Sequence, residues 1–165
     1  MLFRSSAPGS YQISILDNND NVIQSGLTLS ATINTISTST TLSNEDITLY
    51  TWPVTVSGGT SGSPVVVTFG DDITFNSTDQ YFIIDSEYVT IDGSNNTLTI
   101  DGVTNYPGLV QNGTSTANGY SNVIVQNINM TTLNGSTISG FTGWICKSYF
   151  GRNASTNSYI NNCST

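Results

Sequence analysis

The sequence predicts an all-β chain wound as a parallel solenoid, and three observations lead there. Charged residues make up only 8% of the 165 positions, against about 25% in ordinary soluble domains. In their place stand 48 Ser and Thr and 19 Asn. From Ile47 onward, short β-branched and aromatic runs alternate with clusters of Gly, Asn, Asp and Ser, the pattern of many short strands joined by turns. The chain also repeats itself. Gly108, Leu109, Val110, Asn118, Asn122, Val125 and Asn127 recur as Gly143, Trp144, Ile145, Asn153, Asn157, Ile160 and Asn162, at an offset of 35. Upstream, Val89, Ile91 and Gly93 match Val123, Val125 and Asn127 at an offset of 34. A repeat of about 34–35 residues holding three short strands is one coil of a solenoid. Equivalent strands then pair about 4.8 Å apart, apolar residues stack inward, and Gly, Asn and Asp make the corners.

The elements follow in order. Residues 1–63 are expected to form an N-terminal β cap and connector. Within them Tyr11, Ile13 and Ile15 alternate, Asp17–Asp20 supply turn chemistry, and Val22-Ile23 begin the return strand of a hairpin. Residues 26–45 are Ser/Thr-rich and fit an edge strand, a connector or a short helix starting near Ser43. Coils are expected over 64–165, with strands in "SPVVVTFG", "DITFNS", "YFIIDS", "YVTIDG", "TLTIDG", "GLVQNG", "NVIVQNINM", "STISG", "GWICKSYFG" and "SYINNCS". Thr165 falls in the middle of a matched repeat. The coils are therefore expected to continue beyond it or to be covered there by another subunit, since a raw strand edge invites aggregation.

Charge and residue types narrow the chemistry. The net charge is −8, from three basic and eleven acidic residues, which argues against nucleic acid and anionic membrane as partners. No run reaches the ~20 apolar residues of a membrane-spanning helix, and no signal peptide is visible. Without any histidine, Ser-His-Asp and Cys-His catalysis and most zinc chemistry lack their central residue. Cys146 and Cys163 read as two small buried residues, with a disulfide as the alternative. Seven Asn-x-Ser/Thr sequons occur, about what this composition produces at random.

"TIDG" occurs twice, ending in Asp92-Gly93 and Asp101-Gly102. Paired acids suit glycoside hydrolysis only when they face each other at about 5–9 Å. Successive strand ends of one coil aim them apart, so both pairs are expected to be structural turns. Stacked pairs Asn118/Asn153, Asn122/Asn157 and Asn127/Asn162 are expected to form side-chain ladders. Asp71 and Asp72, and the Asp17–Asp20 turn, are weak calcium candidates set against their commoner use in turns. Tyr106, Tyr120 and Tyr149 are weak carbohydrate-stacking candidates, core or rim packing being the commoner role. Thr97 and Thr99 resemble one row of an ice-binding face, but an offset of 35 carries them to Thr132 and Asn134, which breaks the row.

"YVTIDGSNNTLTIDG" followed by "SNVIVQNINM" resembles the right-handed parallel β-helix (pectin-lyase-like) proteins, over roughly residues 64–165. That family includes polysaccharide lyases and hydrolases, phage tailspikes, bacterial adhesins and surface proteins of large DNA viruses. The Asn/Ser/Thr-rich, charge-poor style is most similar to the non-catalytic surface, adhesin and large-virus members. "GDD" at 70–72 resembles the acidic dipeptide of polygalacturonases, but the family's Asn-Thr-Asp, Gly-His-Gly and Arg-Ile-Lys motifs are absent. The expectation is a non-enzymatic structural protein without cofactor, extracellular or on a virion surface, partnered by other protein subunits and by glycans. A carbohydrate-binding adhesin and a polysaccharide lyase or hydrolase are the alternatives.

Overall fold

The computed structural model describes residues 9–16, 22–31, 33–151 and 157–165. The chain is all-β. β1 (Gly9–Leu16) and β2 (Val22–Ala31) form an antiparallel hairpin, with Tyr11 opposite Leu29 and Ile13 opposite Leu27. This is the expected hairpin, with a longer return strand. Its Asp17–Asp20 turn lies outside the described residues.

The later strands are short: β3 (Ile33–Ile36), β4 (Thr40–Leu42), β5 (Tyr50–Val56), β6 (Val65–Phe69), β7 (Ile73–Phe75), β8 (Phe82–Ile84), β9 (Val89–Asp92), β10 (Thr97–Asp101), β11 (Val110–Gln111), β12 (Val123–Gln126), β13 (Asn129–Leu133) and β14 (Tyr159–Asn161). They pair in three parallel sheets, ordered β3-β5-β8-β11, β4-β6-β9-β12-β14 and β7-β10-β13. The chain visits these sheets in rotation, so β5, β6 and β7 lie one in each, as do β8, β9 and β10, and then β11, β12 and β13. A 3₁₀ turn, Asp46–Leu49, precedes β5, and the Trp52 indole N–H donates to its Ile47 carbonyl at 2.9 Å. Among the described residues no helix is long and apolar enough to cross a membrane.

Alternation along each strand decides what is buried. In β6, Val65, Val67 and Phe69 point inward while Val66 and Thr68 are partly exposed, as a period of two requires. Parallel register then stacks like on like: Val67 on Ile91 and Ile91 on Val125, each fully buried. Ile73, Leu98 and Met130 form a second column, and Val54, Phe82 and Val110 a third. Trp52 closes on Phe75 and Phe82 edge-on, with ring centroids 5.0 and 5.3 Å away. At Gly93 a Cβ would lie 2.4 Å from the Asn127 carbonyl oxygen, so the rungs meet there too closely for a side chain.

Several expectations are corrected. Parallel pairing begins at β3, because Ile36 pairs Val56 and Thr40 pairs Val67. The boundary placed between residues 63 and 64 therefore runs through the sheets. The repeat is not uniform. Val89 pairs Val123 at the expected offset of 34 and Val125 pairs Ile160 at 35, but Val54 pairs Phe82 at 28 and Val65 pairs Val89 at 24. Stacking constrains the strands, whereas the exposed connections between them are free to differ in length. "STISG" and "GWICKSYFG" form only isolated bridges, Tyr106 with Ile138 and Val110 with Cys146. The latter slips by one from the expected Val110/Ile145 match. "NVIVQNINM" is two strands, broken where Asn127 takes φ 55°. Thr97 and Thr99 meet Asn129 and Thr131, not Thr132 and Asn134.

Candidate functional site

The acids were the first candidates for chemistry, and their positions follow from the stacking. Asp92 ends β9 and Asp101 ends β10, in different sheets. The Asp92 carboxylate accepts from Gln126 Nε2 at 2.8 Å, Asn127 Nδ2 at 3.0 Å and the Ser94 N–H at 2.8 Å. Burial raises its pKa, but these three donors outweigh burial and hold it below the usual value. Asp101 accepts from Asn134 Nδ2, which sits beside the positive-φ turn residues Gly102 and Gly135. Asp71 accepts from the Asn44 N–H at 2.8 Å, while Asp72 accepts from the Thr97 N–H at 2.7 Å. The two neighbours thus tie into opposite rungs, and as calcium candidates they do not converge on a common point. Among the described residues no three of His, Cys, Asp and Glu come together.

The expected ladders divide. Asn162 Nδ2 donates to Asn127 Oδ1 at 2.8 Å, so Asp92, Asn127 and Asn162 form one continuous line. Asn157 Nδ2 reaches Asn122 Oδ1 at 3.4 Å, and both residues take positive φ, 62° and 58°. Asn118 does not join a ladder. It caps its own loop, accepting from the Thr114 and Ser115 N–H groups at 2.7 and 3.0 Å, and Asn153 lies outside the described residues. Cys146 is buried, Cys163 is partly buried, and both are free thiols. Burial, with Cys163 adding a smaller effect, raises the Cys146 thiol well above its usual range.

The three tyrosines differ. Tyr106 is corrected as a sugar-stacking candidate: it is fully buried, stacks on Trp144 and donates its hydroxyl to the Gln80 carbonyl at 2.8 Å. Burial raises its phenol well above the usual range. Tyr149 is exposed, with φ 73°. Tyr120 is half-buried, and its hydroxyl donates to Asp85 Oδ1 at 2.9 Å. That hydrogen bond, with burial and the carboxylate charge, raises its phenol.

Tyr120 belongs to the connection between β11 and β12, residues 112–122. One rung earlier the same connection, between β8 and β9, needs only residues 85–88. The longer loop stands beside the short one, and between them opens a groove of about 480 Å³. Ile83 and Gln111, paired on β8 and β11, line it together with Asp85, Thr114, Asn118 and Tyr120. Buried Asn112 clamps Tyr120 by both backbone groups, donating to its carbonyl at 2.8 Å and accepting from its N–H at 2.7 Å. Sequence reasoning did not pair Asp85 with Tyr120, although they stand 35 positions apart, at the repeat offset.

The two ends of the stack differ in exposure, and the last described rungs form the more open one. On the first rungs Ile36, Leu42 and Ile47 are buried. On the last, Ile160 continues the Val67–Ile91–Val125 column but is 51% exposed, Leu133 is 53% exposed and Phe141 93%. No Asp or Glu follows Asp101 in the sequence, and Asp101 itself pairs with Leu133. Comparison of the chain with protein-family models, with curated proteins and with solved structures finds no match.

Proposed function

We propose that the three parallel sheets are the sides of a right-handed parallel β-helix, and that the chain is a rigid, non-enzymatic structural element of a virion or cell surface. The rotation through the three sheets from β5 to β13 supports the helix, and the strong right-handed preference of connections between parallel strands supports its hand. The observation that carries the functional reading is how the acids are used. Asp71, Asp72, Asp92 and Asp101 each accept a hydrogen bond from a neighbouring rung, so they act as cross-links between coils. Among the described residues no buried side-chain N or O atom lacks a partner, as suits a scaffold without a strained or poised site. The charge-poor, Ser/Thr/Asn-rich composition is in keeping with a surface location.

Such a scaffold works in an assembly, and the open end supports protein partners. Ile160 and Leu133 are exposed on β14 and β13, the last strands of their sheets, with β13 bridged further only at Asn129 and Ser164 among the described residues. A subunit adding strands there would cover apolar surface and continue the sheets. Sedimentation over a range of concentrations tests this, a second copy being the simplest partner. Expected is association that Ile160→Lys abolishes while the β-type circular dichroism is kept. A monomer at every concentration removes the assembly reading. Turnover of pectic or other polysaccharides, with or without calcium, removes the non-enzymatic one, and its loss in Asp71→Asn or Asp72→Asn would place the chemistry at that turn.

A further inference from the structure

We infer that the groove between residues 83–85 and the 112–122 loop is a binding site for a neutral saccharide, with Tyr120 as its stacking platform and Asp85 as its hydroxyl acceptor. The inference goes beyond the scaffold reading and does not depend on the open end, whose exposed Leu133, Phe141 and Ile160 do not line the groove.

The loop itself is the starting point. A connection as short as 85–88 is enough to pass from one sheet to the next, so the length of 112–122 is not needed to wind the chain. Yet the loop is built rather than slack. Asn112, only 1% exposed, holds the backbone of Tyr120 on both sides. Asn118 closes residues 114–118 on themselves with two accepted N–H bonds, and a Cβ on Gly113 would strike the Asn118 carbonyl at 2.5 Å. Ordered loops on a rigid framework are where binding residues concentrate, and fixing an aromatic in advance lowers the entropy cost of using it.

What lines the groove selects the ligand. Its volume, about 480 Å³, falls in the range of small-molecule sites, about 300–1,000 Å³. Among the described residues no Lys or Arg lines it, and an anionic ligand such as a phosphate or a uronate meets the Asp85 carboxylate there. Its walls mix Ile83 and the Tyr120 ring with Gln111, Asn118 and Thr114, which suits neither a lipid tail nor a metal ion. A ligand with apolar ring faces and many hydroxyls matches both kinds of wall. Asp85 is exposed, and one oxygen takes the Tyr120 hydroxyl. Its other oxygen accepts no hydrogen bond from the described residues, which leaves it to a charge-assisted bond with a sugar hydroxyl. The Tyr120 ring supplies the flat apolar surface on which a pyranose face rests.

The test is an amide-shift titration of the whole chain by NMR, with neutral gluco-, manno- and xylo-oligosaccharides and with oligogalacturonate as the charged control. Expected are shifts confined to residues 83–85 and 111–120 with at least one neutral series, at a Kd on the order of 1 mM, and weaker or no shifts with the uronate. Tyr120→Ala should weaken binding about tenfold or more. Asp85→Asn, at an exposed position where folding is not at stake, should weaken it several-fold. Tyr149→Ala, outside the groove, should leave it unchanged. The inference is overturned if no neutral saccharide shifts these amides, if the uronate binds as well as the neutral sugars, or if Asp85→Asn binds like the parent chain.

Discussion

Asn162 donates its side-chain amide to Asn127 at 2.8 Å, and the two stand 35 residues apart in sequence. Asn127 in turn donates to Asp92 at 3.0 Å, so one corner of the molecule is stitched through three successive rungs. Both asparagines take positive φ, 49° and 55°, a conformation Asn tolerates better than most residues. The same side chain that permits the turn therefore also cross-links it.

Asn127 should be costly to replace, and two variants separate its roles. Asn127→Gly keeps the backbone conformation but removes both amide bonds, for a loss of about 1 kcal/mol. Asn127→Ala adds the left-handed strain and should lose about 2–3 kcal/mol. Chemical denaturation of the two variants checks the order. Equal losses would mean that the turn conformation contributes nothing.

Acid should weaken the same corner. The folded Asp92 carboxyl lies below its unfolded value, so its contribution is present above the unfolded pKa, about 3.9. That contribution is lost as pH falls through the folded pKa. Asp92→Asn should be less stable than the parent at neutral pH and show a flatter decline between about pH 5 and 2. Thermal melts across that range give the two slopes.

Two isoleucines in one column should respond in opposite ways. Ile91 is fully buried between Val67 and Val125, and Ile91→Ala should cost about 2–5 kcal/mol through lost burial and the cavity left behind. Ile160 caps the same column at 51% exposure, and Ile160→Ala should cost less than about 1 kcal/mol in the isolated chain. Should a partner cover the open end, the Ile160 cost would rise in the assembly, which denaturation with and without association measures.

Tyr106 carries an alkaline signature. Its phenol is buried and raised well above the usual value of about 10. Its stabilising contribution is therefore complete below that value and lost as pH rises through the folded pKa. Absorbance titration should show one tyrosine that ionises only when the chain unfolds, and Tyr106→Phe should remove it. At neutral pH the same variant leaves the Gln80 carbonyl without its donor, at a cost of about 1–3 kcal/mol.

Much of the later part of the stack was legible because alternation and offset are both sequence properties. Val89/Val123, Val125/Ile160, Asn122/Asn157 and Asn127/Asn162 pair as their spacing indicated. The earlier rungs were harder to read. Their offsets of 17–28 reflect short connections, and nothing in one repeat dictates the connection length of another. Tyr106 took the commoner of its two roles, core packing, but Tyr is compatible with core and surface alike, and only packing against Trp144 and Gln80 decides between them. Asp85 and Tyr120 share the repeat offset, but neither resembles the other, so no match drew attention to them.

That the chain is all-β, where most strands lie, and that the TIDG acids end strands instead of facing each other could all be read from the residues. These follow from local propensity, the period of two and the turn chemistry of Asn, Asp and Gly. How rungs of unequal length align, which tyrosine is buried, and that a short turn beside a long loop opens a groove emerged from the folded chain alone. Those depend on contacts between residues dozens of positions apart, where small differences in loop length move a side chain from core to surface.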